Sequence, residues 1–150
     1  MNVDSVRSGS RLIDTARAMS QENVERLTSW IEAFNGRDFE IIATLDHPAI
    51  EWCTSAEDPD VSIHRGQKAV QRYLDGYIES FPNLQIEVTE CFAVGDDRVV
   101  AVNHFVGQSA TGVPMDWMLT TVSTVEQGRF TRVEEYFDRA KALEAVGLSE

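Results

Sequence analysis

Apolar residues recur at helical spacing in the first half of the chain and at strand spacing in the second. Val24, Leu27, Ile31 and Phe34, with Trp30 one turn before Phe34, predict a helix from about Gln21 to Asn35. Ser20 is suited to cap it, Glu22 and Glu25 sit where the helix dipole favours anions, and Gly36 ends it. Asp38 then caps a short second helix through Leu45, with Phe39, Ile42 and Leu45 turned inward, and Asp46-His47-Pro48 breaks it. A third helix, opened at Gly66 and running from about Gln67 to Phe81, carries the stripe Val70, Leu74, Tyr77, Ile78 and Phe81 before Pro82-Asn83 stops it.

Strand patterns occupy the rest. Residues 49–54 (AIEWCT) predict a first strand, and Leu84 to Val94, Arg98 to Ser109, Met115 to Glu126 and Phe130 to Phe137 predict four longer ones. Their short, Gly-containing connections make consecutive strands antiparallel neighbours. In the last strand, period-two alternation puts Glu135 on one face with Val133 and Phe137, and Arg132, Glu134 and Tyr136 on the other. Asp138 is placed to cap a closing helix that buries Ala142, Leu143 and Val146 and ends at Gly147. Helices first and a meander afterwards is an α+β pattern. The expected architecture is a cone-shaped half-barrel, a curved antiparallel sheet wrapped around three N-terminal helices, with a short C-terminal helix.

Composition narrows the function classes. A chain of 150 residues suits one domain, and a formal net charge of −12, from 13 basic against 25 acidic residues, argues against nucleic acid and anionic membrane as partners. Residues 1–18 show little apolar periodicity and are expected to form a flexible N-terminal arm, leaving residues 19–150 as the domain; Met19 is an alternative start. The arm lacks the apolar core of a secretory signal, so a cytoplasmic location is expected. Cys53 and Cys91 form neither a disulfide framework nor a CxxC pair. The acids Glu57, Asp58 and Asp60 lie in one short loop without ligand spacing, so no metal and no cofactor is expected.

Several segments together carry a family resemblance. They are Phe34-Asn35-Gly36-Arg37-Asp38, Ile50-Glu51-Trp52, His64-Arg65-Gly66, Phe81-Pro82-Asn83-Leu84, 95–102 (GDDRVVAV) and Gly128-Arg129 through Tyr136-Phe137-Asp138 to 143–148 (LEAVGL). In this order the chain from about Met19 to Leu148 resembles the SnoaL-like branch of the nuclear transport factor 2-like superfamily. One fold hosts many functions, so function has to be argued from the site.

The resemblance can be followed residue by residue. The positions of the ketosteroid isomerase Tyr and two Asp residues correspond to Trp30, Cys53 and Thr121, so that site is absent. The positions of limonene epoxide hydrolase correspond to Glu51 and Cys53, Val102 and His104, and Glu135; only the last-strand acid survives, and the Arg-x-Asp pair is missing. The polyketide cyclases of this branch use an Asp with a nearby His, which Glu135 and His104 imitate if the face carrying Val100, Val102, His104 and Val106 looks into the cone. Scytalone dehydratase-like members use two His residues, and His64 lies near one of those positions.

The candidate catalytic residues are therefore Glu135, His104, Glu51 and His64. The alternatives are a core role for His104, a salt bridge from Glu135 to Arg98, Arg129 or Arg132, and plain exposure for His64. Because Glu51 and Trp52 alternate, one of them has to point away from a pocket. Expected pocket residues are Trp30, Phe34, Cys53, Tyr77, Phe81, Val102, Met115, Trp117, Leu119 and Thr121. Two functions fit: cofactor-independent acid/base chemistry (cyclisation, dehydration or isomerisation) on a small hydrophobic carbonyl or hydroxyl compound, or binding of an apolar metabolite without turnover. The resemblance further implies a homodimer joined through the outer sheet face.

Overall fold

The computed structural model describes residues 3–54, 56 and 61–149; the acidic loop Glu57 to Asp60 lies outside the described residues. In chain order the elements are α1 (Val3–Asn35), α2 (Phe39–Leu45), β1 (Asp46–Thr54), β2 (Ser62–Arg65), α3 (Gln67–Ser80), β3 (Gln85–Val94), β4 (Arg98–Gln108), β5 (Pro114–Glu126), β6 (Arg129–Tyr136) and α4 (Arg139–Ala145). Among the described residues, no helix is long and apolar enough to cross a membrane. The six strands form one open, curved sheet in the order β2-β1-β6-β5-β4-β3.

Two features depart from the sequence pattern. Helix α1 begins at Val3 rather than Gln21, running through the segment expected to be an arm. Ser20 therefore lies inside the helix, where its hydroxyl donates to Gly95 O at 2.9 Å instead of capping. The sheet is also not wholly antiparallel: β1 runs parallel to β6, while β1–β2 and β3 through β6 pair antiparallel. β2, four residues long, is too short to show an alternation of its own.

Local chemistry explains the turns. Gln127 (φ 51°) and Gly128 (φ 79°) are both left-handed, as a two-residue hairpin turn matching the strand twist requires. Asp38 accepts from Ile41 N–H and Asp138 from Ala140 N–H, so both short helices have the expected caps.

The main core fills the space between α1 and the concave face of the sheet. Leu27, Trp30, Ile31 and Phe34 of α1 meet Ile50, Trp52, Val99, Ala101 and Val133 there. Asn35 fastens the end of α1 to the edge strand β3, accepting from Ile86 N–H at 2.8 Å and donating to Ile86 O at 2.9 Å. Helix α4 covers part of the convex face, where Ala142 and Val146 pack with Val100, Val122 and Tyr136. Hence β4 is buried on both faces from Val99 to Val102, and hydrophobicity along it carries no alternation.

One buried carboxyl belongs to this core rather than to any surface. Asp46, 2% exposed, accepts from the Trp30 indole N–H at 3.4 Å through Oδ2, and its Oδ1 has no partner. Burial pushes its pKa up to about 7, only partly opposed by the Trp30 hydrogen bond. A carboxyl raised in the folded state contributes stability that is complete below its unfolded value, 3.8, and is lost as pH rises through about 7. Asp46→Asn keeps an acceptor for Trp30 and cannot ionise. The expected outcome is a variant more stable than the parent at pH 8, by roughly 1–4 kcal/mol, with the difference shrinking toward pH 4. Urea unfolding of both proteins at the two pH values measures it.

Candidate active site

The gap between α1, α3 and the concave sheet face is a cavity with an open mouth, enclosing about 590 Å³ of empty space with the mouth included. Most of its wall is apolar. Leu27, Trp30, Ile31 and Phe34 supply one side, Leu74, Leu84 and Ile86 another, and Phe105, Phe130 and Val133 the sheet. An aromatic series runs through it: Trp30 stacks on Phe34 at 5.7 Å and tilts against Trp52 at 5.6 Å, Trp52 meets Tyr73 at 6.2 Å, and Tyr73 meets the edge of Tyr77 at 5.2 Å.

Glu135 is the acid of this cavity. Strand alternation turns it inward with Val133, and it is 4% exposed. No Lys or Arg pairs with it among the described residues, and none lines the cavity. The Tyr73 hydroxyl donates to its Oε1 at 2.6 Å. Burial raises the Glu135 pKa to about 7, while the Tyr73 hydrogen bond and, more weakly, the Trp52 indole N–H favour the charged form. That indole N–H does not reach hydrogen-bond geometry with any partner, so its effect on Glu135 is one of proximity.

Tyr73 and Tyr77 hydroxyls lie 3.3 Å apart. Tyr73 has a single proton and gives it to Glu135, which leaves Tyr77 as the donor to Tyr73 and makes a chain of Tyr77, Tyr73 and Glu135. Burial, and then the neighbouring Glu135, push the Tyr73 phenol above its ordinary value, so it stays protonated. The His64 ring stacks on Tyr73 at 4.5 Å and 15°, half-buried beside the site.

The predicted residues are only partly brought together. Trp30, Phe34, Tyr77, Thr121 and Glu135 line the cavity. Phe81 packs against the core without lining the cavity, Met115 and Leu119 are buried outside its wall, and Trp117 is 43% exposed, edge-on to Tyr77. His104 is not near Glu135. The inward face of β4 is Val99, Ala101, Asn103 and Phe105, so Val102 and His104 look out from the convex side, where His104 pairs with Asp116 and, at 3.6 Å, with Glu87. Both carboxylates, Asp116 foremost, raise the His104 pKa.

The same parity removes Glu51 and Cys53 from the wall. Trp52 is the inward residue of that strand, so its neighbours face out, and Glu51 bonds Arg65 at 3.0 Å and lies 3.5 Å from Arg132. Cys53 is buried on that outer face; burial first, then the acids Glu134 and Glu51, raise its pKa, with Arg132 and Arg65 opposing them. Sequence reasoning missed Tyr73, Asn103 and the inward role of Trp52. Tyr73 had a signal, lying three residues after Val70 and four before Tyr77 on the apolar stripe of α3. Asn103 had none, as the face of β4 could not be read from its pattern.

Solved structures share this architecture. A protein from Jannaschia sp. CCS1 described as a SnoaL-like polyketide cyclase superposes with a TM-score of 0.70 at 16% identity, covering 88% of this chain and 96% of that one. TerC, co-crystallised with polyporic acid, gives 0.67 at 22% identity over 83% and 97%. An epoxide hydrolase from M. tuberculosis, of the limonene epoxide hydrolase-like kind, gives 0.65 at 17% identity over 79% and 84%. At these identities the likeness is one of fold. No curated protein matches the sequence. The SnoaL-like domain model matches residues 27–133, from the last turns of α1 into β6 and ending two residues before Glu135, and the chain therefore belongs to the SnoaL-like domain family.

Proposed function

We propose that the cavity is an active site for proton transfer on a neutral, largely apolar compound, with Glu135 as the acid/base group. The observation that carries this is a carboxyl 4% exposed, without a cation among the described residues, inside an apolar cavity that opens to solvent. A pKa of about 7 leaves it near half ionised at neutral pH, where a group can both take and return a proton. In the first step the carboxylate removes a proton from a carbon beside a carbonyl, and the C–H electron pair passes to the carbonyl oxygen. In the second, Glu135 returns the proton to another atom, giving isomerisation, or to a departing hydroxyl, giving dehydration; in cyclisation the enolate carbon attacks a second carbonyl, whose π pair moves to its oxygen, and that oxygen takes the proton from Glu135. Tyr73 steadies the carboxylate through its hydrogen bond, and Tyr77 backs Tyr73.

Epoxide hydrolysis has less support. The inward positions of β4 hold Ala101, Asn103 and Phe105, so no Arg-x-Asp pair reaches the cavity from that strand. Binding without turnover is the second reading, favoured by the continuous aromatic wall.

The two readings part on proton exchange. The parent protein is expected to wash deuterium from heavy water into the carbon beside the carbonyl of aryl ketones, with a rate rising through a midpoint near pH 7 as Glu135 ionises. Glu135→Gln should slow that exchange about 10²–10⁴-fold while remaining folded. Equal exchange by both proteins would take Glu135 out of the mechanism, and no exchange by either would favour the binding reading.

Tyr73→Phe removes the hydrogen bond that favours the ionised acid, so the Glu135 carboxyl should titrate at a higher pH than in the parent. Carbon-13 NMR of the labelled carboxyl follows this without any substrate. An unmoved midpoint would show that Tyr73 does not tune Glu135.

A further inference from the structure

Two polar atoms of the cavity wall lack the partners that buried polar atoms almost always have. One is a donor, Trp52 Nε1, and the other an acceptor, Asn103 Oδ1. Both residues are buried and both line the cavity. The orientation of the Asn103 amide follows from its surroundings: Nδ2 faces Leu119 O at 3.1 Å, Thr121 Oγ1 at 3.2 Å and Ala101 O at 3.3 Å. A flipped amide would set its oxygen against two carbonyl oxygens. The amide hydrogens are thus spent on the sheet, and the free atom is the oxygen.

Strand register places the row of Glu135 between the rows of Trp52 and Asn103. Trp52 pairs with Val133, which pairs with Ser123, forming one inward row across the sheet. The next inward row, two residues along, holds Glu135 opposite Thr121, and the row after it holds Leu119 opposite Asn103. Successive rows are about 7 Å apart along the strands. A molecule engaging both Trp52 and Asn103 therefore crosses the row that holds Glu135.

We infer that the cavity selects a neutral ligand with an apolar body, carrying a carbonyl-type acceptor for the Trp52 indole N–H and a hydroxyl-type donor for Asn103 Oδ1, with the reacting carbon between them at Glu135. The inference rests on reading this cavity as the ligand site. Anions are selected against, because the wall holds Glu135 and, among the described residues, no Lys or Arg. The two orphan atoms discriminate strongly, since a ligand that lacks either function leaves a buried polar atom unpaired. Trp52 then has a chemical part as well. As Glu135 takes the proton, the electron pair moves to the carbonyl oxygen, and the indole N–H stabilises the charge developing there.

The test uses four probes on one frame: para-hydroxybenzophenone has both functions, benzophenone the acceptor, para-benzylphenol the donor, and diphenylmethane neither. Calorimetric titration is done with Glu135→Gln, in which turnover cannot complicate binding. The expected result is that para-hydroxybenzophenone binds about tenfold more tightly than either single-function probe, each hydrogen bond being worth about a factor of ten. Trp52→Phe, which keeps an aromatic ring, should erase the gain from the carbonyl, and Asn103→Leu the gain from the hydroxyl. Asn103→Leu also removes bonds to the sheet, so if it does not fold, the carbonyl infrared band of bound para-hydroxybenzophenone, which a donor shifts down, is compared in parent and Trp52→Phe instead.

The absence of any advantage for para-hydroxybenzophenone, or a carbonyl gain or band shift that persists in Trp52→Phe, would overturn the inference. Selectivity without deuterium exchange by the wild-type protein would keep the ligand preference and sink the acid/base reading, and with it the chemical part given to Trp52. Exchange on ketones lacking the hydroxyl as readily as on those bearing it would do the reverse.

Discussion

The aromatic and aliphatic stripe of α1 has to leave water, and it does so against a sheet that curves away from it. Leu27, Trp30, Ile31 and Phe34 reach the concave face without filling it. Closing the remaining gap would take either a flatter sheet, which strand twist opposes, or larger side chains on β4 and β5, where Ala101, Thr121 and Ser123 stand instead. The cavity is what that mismatch leaves, and Glu135, Tyr73, Trp52 and Asn103 border it.

Charges are sorted by the two faces of the sheet. On the convex side the acids have cationic partners: Glu51 with Arg65 and Arg132, Glu90 with Arg139, and Glu87 and Asp116 around His104. On the concave side Glu135 and Asp46 are buried without such partners among the described residues, and each accepts from an aromatic donor, Tyr73 or Trp30. A neutral donor offsets part of a carboxylate's desolvation and leaves the rest as a raised pKa. The two acids are nonetheless different in kind. Glu135 lines the large cavity, whereas Asp46 sits behind Trp30, facing a much smaller space among α2 and α3.

How far the site was legible depends on whether one face of an element is wet. In α3 the apolar stripe is clear, and Tyr73 could have been placed from its spacing to Val70 and Tyr77. In β6 the charged residues Arg132 and Glu134 mark the outer face, so the inward direction of Glu135 followed from alternation. In β4 the same reasoning fails. Helix α4 buries Val100 from outside while α1 and the cavity face Val99 and Ala101 from inside. With both faces apolar, a shift of one residue costs nothing in the pattern, and it exchanges His104 for Asn103.

By itself the sequence determined the α+β order, the two side-chain-capped helices, the hairpins of the meander, and the inward placement of one acid on the last strand. Each of those rests on contacts within a few residues or on one amphipathic period. Only the tertiary structure decided the parallel pairing of β1 with β6, which makes Trp52 and not Glu51 the neighbour of Val133 on the inner face. It also decided that His104 stands with acids on the convex side and that Tyr73 meets Glu135 across 62 positions of chain. Those outcomes depend on which surfaces cover which, a property of the packed layers that no local spacing encodes.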